Sequence, residues 1–258
     1  MMAKLDAMRF AGTVNKSAIS WGSHHAKPGV TLKELDAIIE DYILKTGCKP
    51  AFKGYRNYPA TACLSVNDVA VHGIPNEYSL RDGDLLTIDV GAICDGWYVD
   101  SARSFLIGTS KSSRSESRLK LIEAAEMILE AELSVLSSGC TYMQLIDAAD
   151  RKSSMLGVNI MPQWQGHHIG NTVHIEPSIP NTLPTHVGST KLALLQRQYR
   201  NMTFKAGDTI CLEPVVTFGT VETTIDSDGW TIRSRDGSDV AHTERCLLVT
   251  EQGYELLS

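Results

Sequence analysis

Apolar residues recur along this chain with two periods, and the switches between them outline its elements. Ile122, Ala125, Leu129, Leu133 and Leu136 fall at helical spacing and predict an amphipathic helix. A second helix is predicted over Arg9 to His24. Leu85, Leu86, Ile88 and Val90 read as a buried strand fed by a turn at Gly83-Asp84. Beyond them, Asp95-Gly96 is a preferred two-residue hairpin turn. With those two residues as the loop, Cys94 pairs with Trp97 and Gly91 lies opposite Asp100. Gly29-Val30-Thr31-Leu32-Lys33-Glu34-Leu35 carries a helix start, with Thr31 at the N-cap and Glu34 at capping-box spacing, and Gly47 stops that helix. The pattern predicts helices packed on one side of a sheet made largely of antiparallel hairpins, an α+β fold.

The pattern also repeats. Gly139-Cys140-Thr141-Tyr142-Met143-Gln144-Leu145 restates the capped helix start, and Gly157 stops it at the same distance. Gly207-Asp208-Thr209-Ile210-Cys211-Leu212-Glu213 matches Gly83-Asp84-Leu85-Leu86-Thr87-Ile88-Asp89. Val173-His174-Ile175-Glu176-Pro177 echoes Val71-His72-Gly73-Ile74-Pro75. Three echoes in one order imply a single domain of two halves, about residues 1–114 and 115–258, related by an internal pseudo-two-fold.

That repeat changes the reading of the acids. On the predicted hairpin, Asp89 and Asp100 share a face as diagonal cross-strand neighbours, with β-carbons roughly 7–8 Å apart or a little less. Glu213 takes the place of Asp89 in the second half, and Glu244, in Thr243-Glu244-Arg245-Cys246, resembles Asp100. A pseudo-two-fold brings all four carboxylates to one point. Buried carboxylates cost several kcal/mol each unless paired or metal-bound, and divalent cations are the natural partner for four. His167, in Gly166-His167-His168-Ile169-Gly170, adds a nitrogen donor and moves the expected metal toward Mn, Fe, Co or Zn.

Composition narrows the class. The 258 residues are 43% hydrophobic and 21% charged, ordinary values for a globular protein, so a sizeable core needs no staple. A net charge of −6 argues against nucleic-acid binding, which depends on phosphate neutralisation. No segment reads as a secretory signal or a membrane span, and a cytoplasmic protein is expected. The six cysteines are scattered with no C-x-x-C pair, and reduced packing thiols are expected.

The ordered set Asp89, Asp100, His167, Glu213 and Glu244 resembles the five ligands of the pita-bread metallopeptidases (family M24). The surroundings are similar to type I methionine aminopeptidases, namely Ser65-Val66-Asn67-Asp68, Val71-His72-Gly73-Ile74-Pro75, Leu212-Glu213-Pro214 and Asp228-Gly229-Trp230. The resemblance implies a curved, antiparallel-rich sheet covered by helices. It also implies removal of the initiator methionine from nascent proteins by a metal-activated water, using two divalent ions (Mn, Fe, Co or Zn). In that picture Asp100 and Glu244 bridge the ions, Asp89 holds one, and His167 with Glu213 holds the other. Catalytic roles fall to His72, His174 and Glu213, and the methionine pocket to Tyr55, Tyr58, Cys63, His72, His174 and Trp230. The implied partners are N-terminal peptides of nascent proteins near the ribosome, met by a monomer.

Several positions depart from that pattern. His168 stands where a glycine is usual, able to crowd the metal or add a donor. Val173 replaces a pocket aromatic, and Phe52 stands near a position often held by cysteine. Arg245 follows the last ligand, and strand alternation points it away from Glu244. The stretch 177–207 is long enough to form a lid. A prolidase or aminopeptidase P is the alternative activity, and a non-catalytic binding relative the alternative of another class.

Overall fold

The computed structural model describes residues 2–184 and 187–258. Helix α1 (Lys4–His25) opens the chain and lies across the back of the long hairpin Leu85–Cys94/Trp97–Leu106. Its apolar side contributes Met8, Ala11, Val14 and Ala18 to a core shared with Leu86, Ile88 and Val90. Asn15, wholly buried on that side, donates to the Val90 carbonyl and accepts from the Ser101 hydroxyl, so it fixes the helix to both hairpin strands.

The hairpin has the register expected of an Asp95-Gly96 loop, with Cys94 opposite Trp97 and Gly91 opposite Asp100. Its first strand is buried almost throughout and pairs along its other edge with Ala62–Val66 and with the two-residue strand Lys49–Pro50. The second half repeats the central pair with Thr209–Leu212 and Arg245–Thr250, with Gly166–His168 against the former and Gly253–Leu256 against the latter.

Helices α2 (Leu32–Lys45) and α4 (Tyr142–Leu156) begin with full capping boxes at Thr31/Glu34 and Thr141/Gln144. Each is latched identically to its half. Gly29 and Gly139 donate to Leu80 and Phe204, while Leu32 and Tyr142 donate to Tyr78 and Met202. Gly157 caps α4 in the left-handed conformation that its missing Cβ allows. Between them, α3 (Ser113–Leu133) carries the predicted apolar stripe, and buried Arg118 ties it to Asp239 at 2.7 Å. Leu136 lies just beyond this helix. The stretch 177–207 holds strand Ile175–Ile179 at its start and then α5 (Ser189–Asn201), which buries no residue. Residues 185 and 186 of the expected lid lie outside the described residues.

One expectation fails. Cys48 and Cys94 are joined by a disulfide, with Cα atoms 4.8 Å apart, and are not both free thiols. The pairing of Lys49 with Ile93 makes Cys48 and Cys94 the next cross-strand neighbours, within disulfide reach. The other four cysteines are free and buried. Among the described residues, no helix is long and apolar enough to cross a membrane.

Candidate active site

Five side chains from both halves converge under one cavity of about 440 Å³, whose walls include Asp89, Asp100, His167, Glu213 and Glu244. The hairpin supplies the first two. Asp89 pairs with Ala102 and Gly91 with Asp100, so both acids project from one face as diagonal neighbours. Gly91 has to be bare, because a Cβ there would lie 2.7 Å from both Ala51 and the Phe52 ring.

Register refines the internal match. Ile88 faces Arg103 in the first half as Leu212 faces Arg245 in the second. One step further, Asp89 faces Ala102, and Glu213 and Glu244 come opposite each other just past their strands. Glu244 is thus equivalent to Ala102, two residues from the Asp100 position that the sequence comparison suggested. Its backbone N–H donates to the Ala102 carbonyl at 2.9 Å. By the same register His167, opposite Cys211, is equivalent to Ser65, opposite Thr87. The imidazole has no counterpart in the first half.

The polar atoms here lack partners. Asp89 Oδ1, Asp100 Oδ1 and Glu244 Oε1 are buried with no hydrogen bond. Oxygens of Asp89, Asp100 and Glu244 lie within 4.8 Å of one another. Burial pushes the Asp89 carboxyl up to about 7, against hydrogen bonds from Asp100 and Cys63 that lower it. Burial first, then the neighbouring acids, push Asp100, Glu213 and Glu244 well above the usual carboxylate range.

His167 carries the decisive contact. Its Nδ1 lies 3.0 Å from the His168 carbonyl, an acceptor, so Nδ1 bears the proton. Burial lowers the ring to about 3, which keeps it neutral and leaves Nε2 as a bare lone pair. That lone pair faces Glu213 Oε1 at 3.7 Å and Glu244 Oε1 at 3.8 Å. Acceptors facing acceptors in a buried site are reconciled by protons, as the raised carboxyls allow, or by cations, and this nitrogen-plus-carboxylate donor set suits divalent transition metals.

The cavity walls gather the remaining expected residues. Tyr55, Tyr58, Cys63, His72, His174 and Trp230 all line it. Phe52, Tyr58, Cys63 and Val173 pack as one apolar cluster with Trp230 against it. The His72 backbone is left-handed (φ 58°), and its ring stands edge-on to Trp164 and Trp230. Burial lowers His72 to about 4. His174 Nδ1 lies 3.1 Å from the Tyr55 hydroxyl, and its ring centroid is 4.3 Å from that of His167.

The departures resolve individually. His168 turns away from the acids, with Nε2 2.9 Å from the Tyr142 hydroxyl, so it neither crowds the cluster nor adds a donor. Arg245 points away from Glu244 and pairs with Glu126 at 3.0 Å. Arg103 also pairs with Glu126, at 3.6 Å, and does not neutralise Asp100. Sequence reasoning gave no site role to Arg56, Trp164 and Glu176 on the cavity wall, although Arg56 follows Tyr55 and Glu176 lies within the echo at residues 173–177. His242, a departure from the family pattern beside the last ligand, has an unpartnered Nε2 that lies 3.9 Å from Glu213 Oε2.

Comparison with known proteins identifies the family. The sequence profile of metallopeptidase family M24 matches residues 6–251. A methionine aminopeptidase of Mycoplasma capricolum is 31% identical over 255 residues, covering 99% of this chain and 95% of that protein. Methionine aminopeptidase 1 of Mycobacterium tuberculosis is 34% identical over 262 residues, covering 99% and 92%. The solved methionine aminopeptidase of Thermotoga maritima superposes with a TM-score of 0.87 at 28% identity, covering 100% of this chain and 97% of that one.

Proposed function

Because this chain belongs to metallopeptidase family M24, on its methionine aminopeptidase branch, we propose that it removes the initiator methionine from new polypeptides. The chain would act as one catalytic domain of two halves, about residues 1–114 and 115–258. Two divalent ions, of Mn, Fe, Co or Zn, would be held by Asp89, Asp100, His167, Glu213 and Glu244. The observation that carries this reading is the neutral His167 lone pair turned toward two buried carboxylates. Bound there, the ions supply Lewis-acid polarisation and a water acidic enough to attack at neutral pH.

The chain's own residues supply the rest. Glu213 takes the proton of the attacking water and returns it to the departing amine. With the Tyr55 hydroxyl, 3.1 Å away, as donor to His174 Nδ1, Nε2–H would be free to donate to the scissile carbonyl oxygen. His72, kept neutral by burial, orients the peptide and assists the leaving group. Tyr58, Cys63 and Trp230, with Phe52 beside them, form a wall suited to a long polarisable thioether. Burial keeps the Cys63 thiol protonated, so it packs without competing as a thiolate. The protein would act as a cytoplasmic monomer on chains leaving the ribosome.

A peptide panel on protein reconstituted with Mn²⁺ or Co²⁺ tests the proposal. Met-Ala-Ser is cleaved, and Leu-Ala-Ser and X-Pro peptides are spared. Preference for X-Pro would move the activity to the prolidase type, and absence of turnover with stoichiometric metal would point to a binding relative.

A further inference from the structure

The cavity mouth carries a charge that the methionine pocket does not use. Arg56 lines the same cavity as the five clustered ligands and is the one Lys or Arg side chain on its wall among the described residues. It forms no ion pair among those residues, and its guanidinium lies 5.4 Å from the Tyr55 ring centroid. The backbone holds it out in a left-handed conformation (φ 46°, ψ 32°), followed by a second left-handed residue, Asn57 (φ 69°). A side chain normally avoids that region, so the loop places Arg56 at the cost of local strain. In a protein of net charge −6, this is an isolated cation at the entrance to an acidic centre.

Neighbouring rings measure how far it stands from the reacting bond. His167 to His174 is 4.3 Å, His174 to Tyr55 is 5.5 Å, and Tyr55 to Arg56 is 5.4 Å. An extended chain advances about 3.3 Å per residue, so a substrate leaving the centre along this wall passes Arg56 within about five residues. Glu176, also on the cavity wall, accepts from the Ser178 backbone N–H through Oε2 at 2.9 Å and is not paired with Arg56.

We propose that Arg56 is a specificity residue that recognises an acidic side chain at the third or fourth position of the substrate peptide. The inference rests on the aminopeptidase reading. A guanidinium presents a rigid fork of donors to a carboxylate, and at a half-solvated rim the pair adds discrimination while the chemistry proceeds elsewhere.

The test compares kcat/KM for Met-Ala-Asp-Ser, Met-Ala-Ser-Asp, Met-Ala-Ser-Ser and Met-Ala-Lys-Ser on the metal-loaded protein. The wild type is expected to favour an acidic peptide over the lysine peptide by about threefold to tenfold, and 0.5 M salt to shrink that ratio. Arg56→Gly, which suits the left-handed backbone, should collapse the ratio toward unity. Arg56→Lys should keep most of it, and Arg56→Glu should reverse it. A ratio that survives Arg56→Gly, or a wild-type preference for the lysine peptide through Glu176, overturns the inference and leaves the aminopeptidase intact. Failure to cleave any of the four peptides removes both.

Discussion

Replacing Asp89 with asparagine should make the metal-free protein more stable and the metal-loaded protein less stable. Asp89 rises from 3.8 to about 7 because it is buried, against side-chain hydrogen bonds from Asp100 and Cys63 that lower it. Its proton is held more tightly in the folded than in the unfolded chain. Stability of the metal-free fold is therefore fullest below about pH 4 and declines as pH rises through 7. Each tenfold change in proton affinity is worth about 1.4 kcal/mol, so keeping Asp89 ionised at pH 8 costs at most on the order of 4 kcal/mol. Asp89→Asn removes that cost, and for a chain of this size the gain in Tm is on the order of 10 °C. With Mn²⁺ at a hundred times its Kd the wild type gains about 2.7 kcal/mol, which the variant forfeits in large part. Thermal melts at pH 5 and pH 8, with a chelator and with Mn²⁺, read both effects. A variant less stable than the wild type in chelator at pH 8 would refute the account of the carboxylate cluster.

Other perturbations probe the scaffold. Glu132 is fully buried with both carboxylate oxygens unpartnered, and burial followed by Asp150 raises its carboxyl. Glu132→Leu should therefore stabilise by about 1–3 kcal/mol, more at pH 8 than at pH 5, and urea titrations showing equal effects at both would reject this. The Cys48–Cys94 bridge closes a loop with a sequence separation of 46, so its reduction or a double serine variant should cost about 2–4 kcal/mol, read as a fall in Tm. His168→Ala should cost about 1 kcal/mol by removing the contact with Tyr142 while leaving metal affinity unchanged by calorimetry. A loss of metal affinity would place His168 at the centre after all.

The sequence discloses this molecule best where local chemistry dictates geometry. Asp95-Gly96 sets the hairpin register to the residue, because its turn admits one pairing, and that register puts Asp89 and Asp100 on one face. Thr31 and Thr141 announce their helices through side chains that serve nearby N–H groups. Longer-range pairings left weaker traces. The strand Lys49–Pro50 is two residues long, too short to show a period, so the proximity of Cys48 to Cys94 was hidden. Glu244 and Asp100 both precede apolar runs, and only the ladder reveals their offset of two residues. Helix α5 mixes apolar and basic residues without burying any of them, so its pattern gives no packing signal.

The equivalence of His167 with Ser65 bears on how such a centre can be built. Two copies of the first half, joined about the same axis, would offer Asp89, Asp100 and Ser65 twice over, an all-oxygen set of the kind that favours magnesium, calcium or manganese. The imidazole belongs to one half alone, so on the proposed two-half reading any affinity for softer metals would be a product of divergence between the repeats. A duplicated ancestor with perfect symmetry would have been a different kind of metalloprotein.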